Sequence, residues 1–206
     1  MAVIGISRQY GAGGLTLGKM AAEALGYAFV DSEIIQMVAK KAKVSTDWVE
    51  SIEREAGGKL LKFIDGLVPK RLVDQVLDQH RGYISEEIYV DLLHKIITEI
   101  AQEGDAVIIG RGCQFVLRDF PGAYNVLLIA DHADRIRFME QHYDLTPAEA
   151  VQVVSAEEKR RINLFRKFGR EDYDHPSLYH LVLNMSRLSL EAALDIVCRL
   201  VQGNPA

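Results

Sequence analysis

Cysteine is scarce in this sequence of 206 residues: there are two, Cys113 and Cys198, far apart along the chain. Because no Cys-x-x-C pair or Cys/His spacing typical of zinc is present, we expect no zinc site and a reducing cytoplasm as the setting. The sequence also lacks a basic segment followed by a long apolar run, which predicts neither a signal peptide nor a transmembrane helix. With six scattered histidines and no Gly-x-Ser-x-Gly elbow, nothing supports a Ser/His/Asp hydrolase.

Positive charge is not in excess either. The formal net charge is −5, and 49% of the residues are hydrophobic, a composition typical of a globular protein. Polymers of nucleic acid usually bind basic surfaces, so we do not expect one as a partner. Small anionic ligands remain compatible with this charge, because local arginines and helix ends bind them whatever the global sign. The length fits one domain with a sizeable core.

Short apolar runs alternate with helical patterns along the chain. The runs centre near residues 3, 28, 107, 127 and 181 and are typical of buried strands. Amphipathic helical patterns cover about residues 15–25, 85–102, 131–142, a segment starting at Thr146, and 189–201. This alternation predicts an α/β domain with a parallel sheet and helices on both faces.

A glycine-rich segment follows the first predicted strand directly. It reads Arg8-Gln9-Tyr10-Gly11-Ala12-Gly13-Gly14, called the glycine loop below, and continues as Leu15-Thr16 into a helical pattern. Glycines let backbone N–H groups approach a phosphate closely, and the N-terminus of the next helix attracts the same anion. We predict that residues 11–16 bind phosphate. The alternative is a tight turn that binds nothing.

Three segments resemble the cytidylate kinase-like family, a branch related to the bacterial cytidylate kinases and other nucleoside monophosphate kinases. They are the opening ISRQYGAGG with the later LG-Y-FVD, the GRG at residues 110–112, and the closing LVLNMSRLSLEAA. The resemblance extends over essentially the whole chain. It implies a P-loop NTPase fold of three layers, α/β/α, with a five-stranded parallel sheet. The core would comprise residues 1–33, 84–142 and 171–206, with a helical NMP-binding insertion at about 34–83 and a lid at about 143–170.

The glycine loop departs from the Gly-x-x-Gly-x-Gly-Lys-Gly-Thr pattern of true cytidylate kinases. Gly11, Gly13 and Thr16 match, whereas Gly14 replaces the lysine and Arg8 replaces the first glycine. Because that lysine reaches the β- and γ-phosphates, its absence removes transition-state stabilisation. Arg8 lies on the loop itself and is our expected substitute, with Lys19 as the alternative. The resemblance makes Thr16 the hydroxyl on the Mg²⁺ side.

Two further positions match the family. Arg111, within Gly110-Arg111-Gly112, resembles the arginine that holds the acceptor phosphate, although Ile109 and Gly112 replace the flanking acids of that motif. The alternative for Arg111 is a salt bridge at a strand end. Asp31 resembles an aspartate that would orient the acceptor or lie near Mg²⁺. It could equally be the N-cap of a helix, with Ser32 sharing that ambiguity.

A basic cluster lies where the family has its lid. It comprises Lys159, Arg160, Arg161 and Arg166, with Lys167 and Arg170 beyond. On a helix Arg160 and Arg161 cannot both share a face with Arg166, so we expect only some to meet a ligand. The alternative is a solvated basic face paired with Glu157 and Glu158. Arg135 and Arg137 are further candidates, on the preceding helix.

Three functions compete on this evidence. The first is a kinase that moves a phosphoryl group from ATP, with Mg²⁺, to a nucleoside monophosphate or other small acceptor, using Arg8, Arg160 and Arg161 as catalytic cations. The second is a nucleotide- or phosphate-binding regulatory protein with little or no kinase activity, since Gly14 replaces the lysine. The third is a homo-oligomeric scaffold assembled through residues 34–80.

Overall fold

The computed structural model describes residues 1–31, 86–167 and 172–203. The predicted insertion at about 34–83 lies outside these ranges, as does Arg170. The elements, in chain order, are β1 (Val3–Arg8), α1 (Gly14–Leu25), β2 (Ala28–Val30), α2 (Glu86–Glu103), β3 (Ala106–Ile109), α3 (Cys113–Val116), β4 (Ala123–Ile129), α4 (His132–Tyr143), α5 (Pro147–Lys167), a 3₁₀ turn (Pro176–Leu178), β5 (Leu181–Asn184) and α6 (Leu190–Gln202).

The strands form one sheet in the order β2-β3-β1-β4-β5, and every neighbouring pair is parallel. The predicted α/β fold with a five-stranded parallel sheet is therefore confirmed. In this register Ile6 lies opposite Ile109, and Arg8 lies opposite Leu128. The carboxyl ends of β1, β3 and β4 consequently meet at one edge of the sheet.

Each face of the sheet carries its own apolar layer, which gives the predicted three layers. Leu17 of α1 and Val197 of α6 are fully buried on one face, against Ile4 and Ile6 of the sheet. Residues of α2 and α3, among them Ile97, are buried on the other face. Burying these side chains removes apolar surface from water, which is the main stabilising contribution to the fold.

The central strand β1 also sets the place of the glycine loop. Strands β2 and β3 lie on one side of β1, and β4 and β5, which come later in the chain, lie on the other side. In open parallel sheets the crevice at such a reversal, outside the carboxyl ends of the strands, is where ligands bind. The glycine loop begins at the end of β1 and therefore lies in this crevice.

Helices α4 and α5 form an antiparallel hairpin beyond the sheet. Its small core of Met139, Ala150 and Val154 is buried. Thr146 begins α5 as predicted: its backbone N–H donates to the Glu149 carboxylate at 2.9 Å, and its hydroxyl accepts the Glu149 N–H at 3.4 Å. This reciprocal pair is a capping box. The predicted lid at 143–170 is thus mainly one long helix.

Two short elements are absent from the sequence-based prediction. Cys113–Val116 and Pro176–Leu178 span four and three residues, too few for a hydrophobic period to be read. Among the helices of the described ranges, none combines the length and hydropathy that a membrane crossing would need.

Gly18 sets how closely α1 approaches the sheet, and its replacement tests that packing. A Cβ added at Gly18 would overlap Ile109 Cδ1 and lie 3.2 Å from Phe29. We expect Gly18→Ala to lower the free energy of unfolding by about 1–2 kcal/mol, because overpacking outweighs the gain in helix propensity. Urea unfolding measures the change. A more stable variant would show that Ile109 can move to accommodate the added methyl group.

Candidate functional site

The glycine loop has the backbone geometry that a phosphate cradle needs. Gly11 and Gly13 have φ angles of 86° and 80°, which residues with a Cβ adopt only with strain. Gly13 is the N-cap of α1 and provides no side-chain capping bond. The N–H groups of Gly14, Leu15 and Thr16 occupy the first turn of α1, where an α-helix offers no internal acceptor. They are therefore suited to an anion.

Gln9 fixes the start of this loop to the neighbouring strand. Its backbone N–H donates to the carbonyl of Leu128 at 3.0 Å, and its side-chain oxygen accepts the N–H of Ala130 at the same distance. The Gln9 carbonyl also accepts the N–H of Ala12 at 3.1 Å. The loop therefore starts from a fixed point at the end of β4.

The side chain of Arg8 lies in a slot made by two glycines. A Cβ on Gly14 would lie 2.7 Å from Arg8 Cγ, and a Cβ on Gly110 would overlap Arg8 Nη1. In the family pattern a lysine side chain would extend from position 14. Here the stem of Arg8 fills that space. Lys19, the alternative substitute, is exposed, and its ammonium lies 5.9 Å from the ring centre of Phe29.

The Arg8 guanidinium has positively charged neighbours in the described part of the chain. Burial, followed by the positive charges of Arg111 and Arg161, lowers the pKa of Arg8 to about 10. Within the described ranges no carboxylate forms a salt bridge with Arg8, whose neighbouring charges are two further arginines. A partly buried cation among like charges favours an anion at this place.

Arg111 is held in an unusual backbone conformation. Its φ angle is 55°, and Gly110 and Gly112 on either side have φ angles of 69° and 78°. A non-glycine residue in the left-handed region costs free energy and is frequent at functional sites. This turn places Arg111 at the carboxyl end of β3, close enough to Arg8 to lower its pKa.

The two neighbouring arginines of α5, Arg160 and Arg161, differ in their surroundings. The side chain of Arg160 is 77% exposed and forms an ion pair with Glu157, whereas that of Arg161 is only 10% exposed. Arg161 donates to Glu158 at 2.9 Å and to both carboxylate oxygens of Asp174. Of the two, Arg161 is the one whose charge reaches Arg8. The pair of Arg160 with Glu157 is the kind of contact that the solvated-face alternative describes.

Arg161 is also enclosed by aromatic rings. Its guanidinium lies 4.9 Å from the centre of the Phe165 ring and 5.2 Å from that of Tyr173. Burial alone would lower the pKa of Arg161, but the hydrogen bonds and charges of Asp174 and Glu158 raise it above its ordinary value. Sequence reasoning did not single out Asp174, since a lone aspartate 13 residues away carries no local signal.

The remaining predicted residues lie at the same edge of the sheet. Thr16 is in the first turn of α1, and Asp31 directly follows β2. The helix that Asp31 would cap in the alternative interpretation lies outside the described residues. The described part of the chain has no cluster of three or more metal-ligating His, Cys, Asp or Glu side chains. Mg²⁺ is commonly held by one or two protein groups together with substrate phosphates, and Thr16 and Asp31 fit that smaller role.

An apolar cleft of about 190 Å³ adjoins the glycine loop. It is lined by Gly11, Ala12, Ala130, Asp134, Phe138, His142, Met185, Leu188 and Leu190. The rings of Phe138 and His142 stack 4.0 Å apart. A flat, mostly apolar group could therefore bind beside a phosphate on the loop.

Comparison with known proteins identifies the family of this chain. Residues 3–187 match the model of the cytidylate kinase-like family, most of the chain of 206 residues. The chain belongs to this family. The resemblance stated from the sequence is thereby confirmed. No curated protein matches the sequence.

Solved structures agree on the fold. An uncharacterized protein from Eubacterium ventriosum ATCC 27560 is 15% identical, with a TM-score of 0.66, and the match covers 99% of this chain and 100% of that one. The shikimate kinase from Bacteroides thetaiotaomicron is 16% identical, with a TM-score of 0.50 and 98% of each chain covered. At such identity the likeness shows the fold alone.

Removing the Arg8 charge should stabilise the ligand-free protein. Because the folded state lowers the pKa of Arg8, the charged form is disfavoured at every pH below about 10, and this penalty fades as the pH rises beyond that value. We expect Arg8→Met to raise the free energy of unfolding at pH 7 by about 1 kcal/mol. The same change at exposed Arg199, paired with Asp195, is the control for denaturant melts. A less stable Arg8→Met variant would contradict this account.

Arg161 and Arg160 should differ sharply in their contribution to stability. Arg161→Met leaves the carboxylates of Asp174 and Glu158 without their shared partner, whereas Arg160→Met breaks only an exposed pair. We expect losses of about 2 kcal/mol for Arg161→Met and at most about 0.5 kcal/mol for Arg160→Met. Thermal and urea unfolding measure both losses. Equal losses would contradict the inference that the two arginines have different environments.

Proposed function

We propose that this chain is a phosphotransferase that moves a phosphoryl group from a nucleoside triphosphate, with ATP as the expected donor, to a nucleoside monophosphate or another small acceptor. The observation that carries the proposal is the Arg8 side chain, whose stem lies against Gly14 and whose guanidinium lies against Gly110 with no carboxylate salt bridge among the described residues. Family membership and the fold support the same class of reaction.

Each part of the site has a role in this proposal. Backbone N–H groups of residues 11–16 bind the donor phosphates, and Arg8 stabilises charge on the transferring group. The apolar cleft beside Gly11 accommodates the base, because Phe138 and His142 present a stacked pair of rings there. Arg111, at the end of β3, binds the acceptor anion with its planar fork.

Thr16 and Asp31 would hold Mg²⁺ together with the phosphates. When bound, the metal neutralises negative charge on the β- and γ-oxygens. A hydroxyl in the first turn of α1 and a carboxylate at the end of β2 are oxygen donors of the kind this ion prefers. A cytoplasmic setting and a small nucleotide partner complete the proposal.

The binding-only alternative rests on the missing lysine. That argument weakens because the stem of Arg8 lies against Gly14, the residue that replaces the lysine, and carries its guanidinium to Gly110 at the same edge of the sheet. Since phosphoryl transfer depends chiefly on positioning and charge, a relocated cation can serve as well as a lysine at the usual place. The distinction is open to a direct experiment.

Moving the cation back to its usual place tests the proposal. Lysine at position 14 cannot fit while the Arg8 stem lies 2.7 Å from the added Cβ. We therefore expect Arg8→Gly and Gly14→Lys each to lower kcat/KM by about a hundredfold or more. The double variant, which has the family pattern at both positions, should recover at least about tenfold over either single variant.

The measurement is ATP-dependent phosphorylation across a panel of nucleoside monophosphates with Mg²⁺, joined to thermal shifts with each ligand. Arg199→Met serves as the control for the charge lost in Arg8→Gly. Nucleotide binding without turnover in any variant would favour the regulatory alternative. Absence of any nucleotide or phosphate shift in the wild-type protein would refute both.

A further inference from the structure

The main chain of Tyr10, in the middle of the glycine loop, is held on both sides by the α4–α5 hairpin. Its N–H donates to Glu158 Oε2 at 3.1 Å, and its carbonyl accepts from Arg135 Nη1 at 3.3 Å. Arg135 Nη1 also lies 3.3 Å from Glu158 Oε2. One residue of the loop, one of α4 and one of α5 thus form a closed triangle of polar contacts.

Apolar contacts reinforce the same junction. The Tyr10 side chain packs on the hairpin core of Met139, Ala150 and Val154. A Cβ added to Gly11 would lie 2.7 Å from the backbone carbonyl oxygen of Arg135. The glycine at position 11 therefore allows the loop to lie directly against the first turn of α4.

Glu158 is the group that these contacts share. Its second oxygen, Oε1, accepts from Arg161, which in turn is paired with Asp174. The side chains of Glu158, Arg135 and Arg161 are 23%, 12% and 10% exposed. Charge-assisted hydrogen bonds are strong and directional in such water-poor surroundings.

A purely structural role would be to join the two helices of the hairpin. The contact to Tyr10 goes beyond that role, because Tyr10 immediately precedes the residues whose N–H groups form the cradle. The loop contains three glycines, Gly11, Gly13 and Gly14, and therefore has many backbone conformations available. Its geometry depends on anchors at its edges. Gln9 is anchored to β4, and Tyr10 is anchored to the hairpin.

We propose that Glu158 is a positioning residue that holds the glycine loop in its phosphate-binding conformation through the main chain of Tyr10. The inference rests on the proposed function, since it assigns Glu158 to the same phosphate site. Glu158 does not touch the ligand. It acts by fixing the loop and by keeping Arg161 directed toward Arg8.

Glu158→Gln is the test, because it keeps the size of the side chain and removes its charge. The matched control is Glu157→Gln, one residue earlier, which breaks the exposed pair with Arg160. We expect Glu158→Gln to speed hydrogen exchange of the Tyr10 amide and to weaken pyrophosphate binding, each by about tenfold, the size of one charge-assisted hydrogen bond. The control should change neither by more than about twofold.

Residue-resolved hydrogen exchange without ligand and calorimetric titration with pyrophosphate give separate answers. Unchanged exchange at Tyr10 overturns the inference. Faster exchange with unchanged pyrophosphate affinity also overturns it, because Glu158 would then stabilise the fold alone. Absence of both pyrophosphate and nucleotide binding to the wild-type protein would refute the proposed function, whereas the exchange rate at Tyr10 tests the anchoring of the loop separately. Arg135→Met removes the other side of the triangle and should reproduce both changes if Glu158→Gln folds poorly.

Discussion

The site is organised around one cation that the fold holds against electrostatic repulsion. The stem of Arg8 lies on Gly14 and its guanidinium on Gly110, while Arg111 and Arg161 add charge of the same sign. A Cβ at either position would displace the arginine. The glycines at positions 14 and 110 are thus tied to the placement of a single side chain.

Much of the fold could be predicted from the sequence. The strands are short apolar runs, and a parallel sheet buried on both faces leaves that pattern plainly visible. The start of α5 at Thr146 was predictable because a capping box is a purely local arrangement. The short helix at Cys113–Val116 was not, since it results from the left-handed turn at Gly110–Gly112 and has no periodicity of its own.

The site was predictable only in part. The glycine loop and Arg8 stand together in the sequence, so their association follows from adjacency. Which of Arg160 and Arg161 points inward depends on the rotation of α5 against the hairpin and on Asp174, a contact across 13 residues. The contact between Glu158 and Tyr10 joins residues that are 148 positions apart in the sequence. No local sequence pattern predicts a contact over that separation.

Arg8 belongs to the central strand of the sheet, paired in register with Leu128. A lysine at position 14 would extend from the first residue of α1, whereas this guanidinium extends from the last residue of β1. Strand pairing therefore fixes the backbone that carries the charge. Such a stationary charge accelerates the diffusional encounter with an anion, and the association rate should decrease as added salt screens the field.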